Sequence, residues 1–182
     1  TLSLNVAYFV RNTEPYLLYD KALREIRAHG GLTGYAHVRG FWFDQRGNPI
    51  SEQRGLKPNP SVWNGVEPLL AAFNSDVGLM MDVPEGLVDF VELLDARGVL
   101  DPTYYYELLN LGFRLPVTAG SDYPFGFSHI GDNRTYVFTG KGIPFSVDRW
   151  FEALDQGKTF LTQGPLIEFL VNGDGPGATL EK

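Results

Sequence analysis

Cysteine is absent from this sequence, which excludes disulfide bridges, thiolate metal ligands and cysteine nucleophiles. Runs of lysine or arginine are absent too, and a formal net charge of -7 argues against non-specific binding to nucleic acid. No apolar run reaches the roughly 18 residues that a membrane span needs, and the N-terminus lacks a signal-peptide pattern. No membrane segment is therefore predicted, and neither the cytoplasm nor the periplasm is favoured.

What the sequence does contain is the composition of a folded globular protein. Its 182 residues are 43% hydrophobic and 20% charged. That length is enough for one domain, or for one domain with a small appendage.

Residues 115–124 form the stretch around which the chain is organised. Val117, Thr118 and Ala119 are typical of a buried strand. Gly120 allows the backbone to turn sharply, and Asp122 follows just past the strand. The C-terminal ends of strands are where α/β folds place their chemistry.

A second stretch, residues 30–37, has the same form. Two glycines introduce a short apolar strand that ends in His37. One strand-end histidine and one strand-end aspartate are ligands suited to a divalent metal. His37 and Asp122 would be two ligands of one metal site if the ends of these two strands are close together in the fold.

The remaining segments alternate between strand and helix. This rhythm favours a parallel sheet or barrel with right-handed crossovers. The apolar segment 87–94 is compatible with a buried strand and with a buried helix. We favour the strand, which places Glu92 near its C-terminal end. The last two strands are expected to begin a separate antiparallel unit, with a hairpin turn at 172–175. The predicted strands are 2–9, 32–38, 87–94, 115–119, 134–139, 159–162 and 166–171, and the predicted helices are 16–29, 66–74, 102–111 and 147–156.

Residues 39–60 are predicted to be a long irregular loop that follows His37 directly. Loops of this length in a compact domain are usually functional or mobile. Two interpretations stay open, namely a lid or substrate wall, and a surface excursion packed down by its aromatic residues.

Several motifs occur in one order along the chain, and together they resemble the PHP superfamily of metallohydrolases, named for polymerase and histidinol-phosphatase domains. Within it, the carbaryl-hydrolase-like branch is the more similar. The resemblance extends over roughly residues 4 to 175. Its motifs are Gly-Gly-Leu-Thr-Gly-Tyr-Ala-His (30–37), Val-Asp-Phe-Val-Glu (88–92), Tyr-Glu-Leu-Leu-Asn-Leu-Gly-Phe-Arg-Leu-Pro-Val-Thr-Ala-Gly-Ser-Asp (106–122), Asn-Arg-Thr-Tyr-Val (133–137) and Gly-Lys-Thr-Phe-Leu-Thr-Gln-Gly-Pro (157–165).

The resemblance implies a distorted (β/α)7 barrel with zinc, manganese or iron at the C-terminal ends of its strands. His37 matches the family's mid-domain metal-binding histidine, and Asp122 matches the aspartate of its late ligand motif. Glu92 lies on a strand that points to the same site, with a surface carboxylate as the alternative interpretation. His129 in the following loop is a further candidate ligand, and a solvated side chain is its alternative.

The chain also departs from the family pattern. The opening His-x-His ligand pair is absent, Val38 follows His37 in place of proline, and Pro124 stands where many members have a histidine. We therefore expect residues 1–162 to be the C-terminal portion of a PHP-type barrel, and residues 163–182 to be the first strands of a β domain. The missing part is expected to come from an N-terminal segment or from a second chain.

Two functions from different classes follow. The first is a metal-dependent hydrolase in which His37 and Asp122 are catalytic metal ligands, acting on a small-molecule ester, carbamate, amide or phosphoester. The second is a non-catalytic binding or structural module on a degenerate PHP scaffold, because two protein ligands are fewer than a metal site normally has. Arg134 is expected either to bind an anionic substrate group or to anchor its own loop through a carboxylate.

Overall fold

The computed structural model describes residues 2–4, 19–36, 38, 78–94, 100, 102–124 and 129–180. This part of the chain is mixed α/β, as predicted. Its elements are β1 (Leu2–Leu4), α1 (Asp20–Ala28), β2 (Leu32–Tyr35), α2 (Leu79–Asp82), β3 (Phe90–Glu92), α3 (Thr103–Asn110), β4 (Val117–Thr118), β5 (Arg134–Val137), α4 (Val147–Asp155) and β6 (Thr159–Thr162). The predicted loop at 39–60 and helix at 66–74 lie outside these residues. No helix in the described ranges has the length and apolarity needed to span a membrane.

The larger sheet has four strands in the order β1-β2-β3-β4. Strands β2, β3 and β4 are parallel, and β1 runs antiparallel to β2. The register places Gly34 beside Phe90, and Glu92 beside Thr118. Three consecutive strands whose connections contain helices therefore confirm, for this part, the parallel arrangement predicted for the bulk of the chain.

The smaller sheet corrects two predictions. Strand β6 is antiparallel, as expected for the last two strands, but its partner is β5, which the sequence placed in the alternating strand-helix part, and not residues 166–171. The described residues form no closed barrel. The strand predicted at 166–171 is also wrong, since the pairing found there is a single bridge between Val171 and Asp174. An apolar run forms a stable strand only where neighbouring strands pair with it. Two apolar residues of this run, Leu166 and Phe169, are instead each 67% exposed.

Local signals at the ends of helices and turns are confirmed. Gly30 follows α1 with a φ of 76°, and Ser146 caps α4 by accepting a hydrogen bond from the Arg149 amide. At the predicted hairpin turn, Asn172 and Gly173 both have positive φ, at 54° and 91°. Two such residues in succession are the signature of a two-residue turn.

One face of the larger sheet carries the hydrophobic core. Tyr35 and Val91 point to this face, and one buried leucine from each of the first three helices packs with them. These leucines are Leu23, Leu79 and Leu108. All three helices that accompany the parallel strands thus contribute to the same core.

The opposite face carries Gly34, Phe90, Glu92 and Thr118, because side chains alternate along each strand and paired residues share a face. Phe90 is buried and its ring lies over Gly34, where a β-carbon would overlap the ring atoms. Glycine at position 34 is therefore what allows the Phe90 ring to lie flat against β2.

A polar network joins the elements at the N-terminal ends of the parallel strands. Asp89 forms an ion pair with Arg27 of α1 and accepts the Thr33 amide hydrogen bond at 2.8 Å. The Thr33 hydroxyl donates to the Leu87 carbonyl at 2.6 Å. Burial raises the pKa of Asp155, at the end of α4, and the nearby charge of Asp89 raises it further. This end of the sheet is thus held by side chains that satisfy one another.

Candidate functional site

Glu92 and Asp122 both lie at the C-terminal end of the parallel strands. Glu92 is the last residue of β3 and pairs with Thr118, the last residue of β4, from which the chain continues to Asp122. Burial raises the pKa of Glu92 to about 7, and the negative charge of Asp122 contributes to the shift. The two carboxylates therefore interact electrostatically at one end of the sheet.

Gly120 provides the space in which the Glu92 carboxylate lies. A β-carbon built on Gly120 would stand 2.9 Å from Glu92 Oε1. That distance is below any ordinary van der Waals separation, so any larger residue would displace the carboxylate. The turn glycine predicted from the sequence is therefore also a contact of the site.

Asp122 itself has a left-handed backbone conformation, with a φ of 51°. Aspartate is among the few residues other than glycine that adopt this region readily. Asp122 is exposed, whereas Glu92 is only partly exposed. The pair thus consists of one carboxylate set into the protein and one that faces solvent.

The end of β4 is fastened to the smaller sheet by one side chain. The hydroxyl of Thr135, on β5, accepts a hydrogen bond from the Ala119 amide at 2.7 Å and donates one to the Ala119 carbonyl at 2.9 Å. Both backbone groups of Ala119 are therefore satisfied without a strand ladder at this point. Thr135 was not among the candidates from the sequence, because a threonine in a strand has no signal that distinguishes it from its neighbours.

His37 lies outside the described residues, so its predicted ligand role stays a prediction. The residue after it, Val38, is described and is buried. The Val38 amide donates a hydrogen bond of 3.0 Å to the carbonyl oxygen of Glu92. The chain next to His37 is therefore bonded to the strand end that carries Glu92.

His129 lies in a turn of its own. Its side chain is 89% exposed, and its Nδ1 atom is 3.3 Å from Asp132 Oδ2. The backbone amide of His129 donates to the same oxygen at 2.6 Å, and this bond lowers the pKa of Asp132. These contacts match the solvated alternative that was left open for His129.

Arg134 anchors its loop, although not through the carboxylate that was expected. Its Nη2 atom donates to the Gly164 carbonyl at 2.9 Å. The partner is thus a backbone carbonyl that follows β6, and the bond ties the start of β5 to the segment beyond the paired strand.

A second buried carboxylate, Asp82, has a structural environment. Burial raises its pKa, and the hydrogen bond from the Tyr35 hydroxyl, at 2.6 Å, partly offsets that rise. Tyr35 and Asp82 belong to the core side of the sheet, away from the face of Glu92. The pair satisfies two buried polar groups, which is the usual reason for such a contact.

Among the residues that the structure describes, no group of three or more histidine, aspartate and glutamate side chains could hold a metal ion. Glu92 and Asp122 are two carboxylates at one end of the sheet, and with no third such side chain among the described residues they do not make up a group of three. Comparisons with protein-family models, with curated proteins and with solved structures find no match for this chain.

Proposed function

We propose that this protein is a metal-dependent hydrolase of the PHP type, which acts on a small-molecule ester, carbamate, amide or phosphoester. The observation that carries the proposal is the pair formed by Glu92 and Asp122 at the C-terminal ends of adjacent parallel strands. This is the edge at which barrel and open-sheet α/β enzymes bind their substrates.

The chemistry of the pair suits a divalent cation. Carboxylate oxygens are ligands for zinc, manganese and iron. Glu92 is disfavoured as an anion by burial and by the like charge of Asp122, and a cation held by both groups would relieve both penalties. Two of the proposed ligands therefore fit a metal in charge and in donor type, and His37 is the proposed third.

A metal bound there would lower the pKa of a bound water and polarise a carbonyl or phosphoryl oxygen of the substrate. Glu92 and Asp122 would hold it, and the exposed Asp122 would also orient the attacking water. Ligands must lose their protons before they bind, so metal affinity is expected to fall as the pH drops below about 7, the pKa of Glu92.

The arrangement of the larger sheet supports an arc of a (β/α)7 barrel as the finer description of the fold. Three parallel strands follow one another in chain order, and each of the helices α1, α2 and α3 contributes a leucine to the core on one face of the sheet. In barrels of this kind the helices cover the outer face and the strand ends carry the site. The face of Phe90 and Glu92 would then be the barrel interior.

The alternative is a non-catalytic binding or structural module on the same scaffold. It is favoured by the count of metal-ligating side chains, which reaches no group of three within the described ranges. Structural and catalytic metal sites normally have three or four protein ligands.

Metal content distinguishes the two functions. We expect purified wild-type protein to carry zinc, manganese or iron at pH 8, measured by elemental mass spectrometry after incubation with each ion. The variants His37→Ala, Glu92→Gln and Asp122→Ala should each lose most of the metal, because each removes one donor. The variant Asp132→Asn is the matched control, since it removes a carboxylate from the turn of His129. Wild-type protein that binds none of the three ions would support the binding module instead.

Gly120→Ala is expected to weaken metal binding with little effect on folding. The added β-carbon meets Glu92 Oε1, which is the far end of a flexible side chain and can swing away. Displacing a ligand oxygen in this way should lower metal affinity by about 10- to 100-fold, the range found when ligand orientation is disturbed.

The control for this substitution is Gly164→Ala, where a β-carbon meets no atom within 4 Å. Titration calorimetry with Mn²⁺ measures the affinity, and urea unfolding measures the stability. An unchanged affinity in Gly120→Ala would contradict the role given to Glu92.

A further inference from the structure

The turn between Ala119 and Asp122 has to hold a defined shape. Gly120 must stay against the Glu92 carboxylate, and Asp122 must keep a left-handed conformation that most residues avoid. Strand β4 pairs with β3 over Val117 and Thr118 and ends there, so its own ladder does not reach the turn. The turn therefore needs support from another part of the chain.

That support comes from the smaller sheet. Thr135 bonds to both backbone groups of Ala119, at 2.7 Å and 2.9 Å. Its own backbone is held in turn, because Thr135 pairs with Leu161 in the ladder of β5 and β6. Leu161 packs against the main core cluster, which fixes the small sheet relative to the larger one.

We propose that Thr135 is a positioning residue for the site: its hydroxyl fixes Ala119, and thereby sets the backbone from which Gly120 contacts Glu92 and Asp122 presents its carboxylate. The metal-related part of this inference rests on the proposed function, whereas the fixing of the backbone does not. The side chain acts through the backbone and touches neither substrate nor metal.

The test compares Thr135→Val with Thr135→Ser. Valine has nearly the same shape and removes both hydrogen bonds, while serine keeps the hydroxyl. In Thr135→Val we expect the backbone order parameters of Gly120 to Asp122, measured by ¹⁵N relaxation, to fall from about 0.85 toward 0.6. Affinity for Mn²⁺ should fall about 10-fold, and Thr135→Ser should restore both quantities.

Thr162→Val is the matched control. The Thr162 hydroxyl also makes two backbone hydrogen bonds, from the Gly164 amide at 2.9 Å and to the Pro165 carbonyl at 3.1 Å. Its loss should lower stability in a similar way, yet leave the Gly120 to Asp122 backbone and the Mn²⁺ affinity unchanged. A merely structural role for Thr135 predicts the same result for both valine variants.

The outcomes separate this inference from the proposed function. If Thr135→Val leaves the order parameters of the turn unchanged, the positioning role is wrong, whether or not the wild-type protein binds metal. If wild-type protein binds no metal but Thr135→Val loosens the turn and Thr135→Ser restores it, the positioning role stands and the hydrolase proposal fails.

Discussion

The metal-free Glu92→Gln variant is expected to be more stable than the wild-type protein at pH 8, by about 3 kcal/mol in the free energy of unfolding. Folding raises the pKa of Glu92 from 4.5 to about 7, because the carboxylate is buried and lies near Asp122. The folded protein therefore holds this proton more tightly than the unfolded chain does. Glutamine has a similar shape and carries no charge, so it avoids the penalty at every pH.

The sign of the effect follows from proton linkage. A group whose pKa is raised by folding contributes fully to stability below its unfolded pKa, and that contribution is lost as the pH rises through the folded pKa. Wild-type stability should thus decline between about pH 4.5 and pH 7 relative to Glu92→Gln. At pH 4 the two proteins should differ little.

Urea unfolding in the presence of a chelator, repeated from pH 4 to pH 8, measures this difference. Asp122→Asn should give a smaller gain at pH 8, since burial is the larger cause of the shift and the charge of Asp122 is the second. A difference between wild type and Glu92→Gln that stays constant over this range would contradict the assigned environment of Glu92. A substitution that raises stability at a proposed ligand is expected where a residue is retained for function at a cost in stability.

Gly34→Ala is expected to destabilise the protein by about 2 to 3 kcal/mol, the upper part of the usual range for overpacking a core. The new β-carbon would overlap the ring of Phe90, which is only 1% exposed. The ring and strand β2 would have to move apart. Thermal or urea unfolding measures the loss.

Gly164→Ala is again the control and should change stability by no more than about 0.5 kcal/mol. The double variant Gly34→Ala with Phe90→Leu should lose less than the sum of its single substitutions, because the smaller side chain leaves room for the β-carbon. If Gly34→Ala were no less stable than Gly164→Ala, the packing of Phe90 on β2 would be wrong.

The sequence predicted the type of most described elements, since strand alternation and helix ends are local signals. Ser146 before α4 and Gly112 after α3 each mark an end that the structure confirms. The antiparallel pairing of β5 with β6 was not predictable in the same way. A period of two residues records which face a side chain takes, but it does not record whether the strand runs with or against its neighbour.

The candidate site was predictable to a similar extent. Asp122 follows from its place after an apolar strand and a glycine, and Glu92 follows from its place at a strand end. The contact of Gly120 with Glu92 depends on the register between β3 and β4, which neither strand specifies alone. The hydrogen bond from the Thr135 hydroxyl to the Ala119 carbonyl joins two separate sheets, so no local sequence pattern predicts it.

The two ends of strand β3 have different roles. Asp89, just before it, belongs to the ion pair and hydrogen bonds that hold the N-terminal end of the sheet, while Glu92 at its far end belongs to the carboxylate pair. Among the described residues, Asp89 contacts Arg27 and Thr33, and Glu92 lies near Gly120 and Asp122, so the effects of substitutions at the two ends on stability should add. Directed evolution of the Glu92 end toward new substrates would then start from an anchored strand, and stability lost there could be regained by independent substitutions around Asp89.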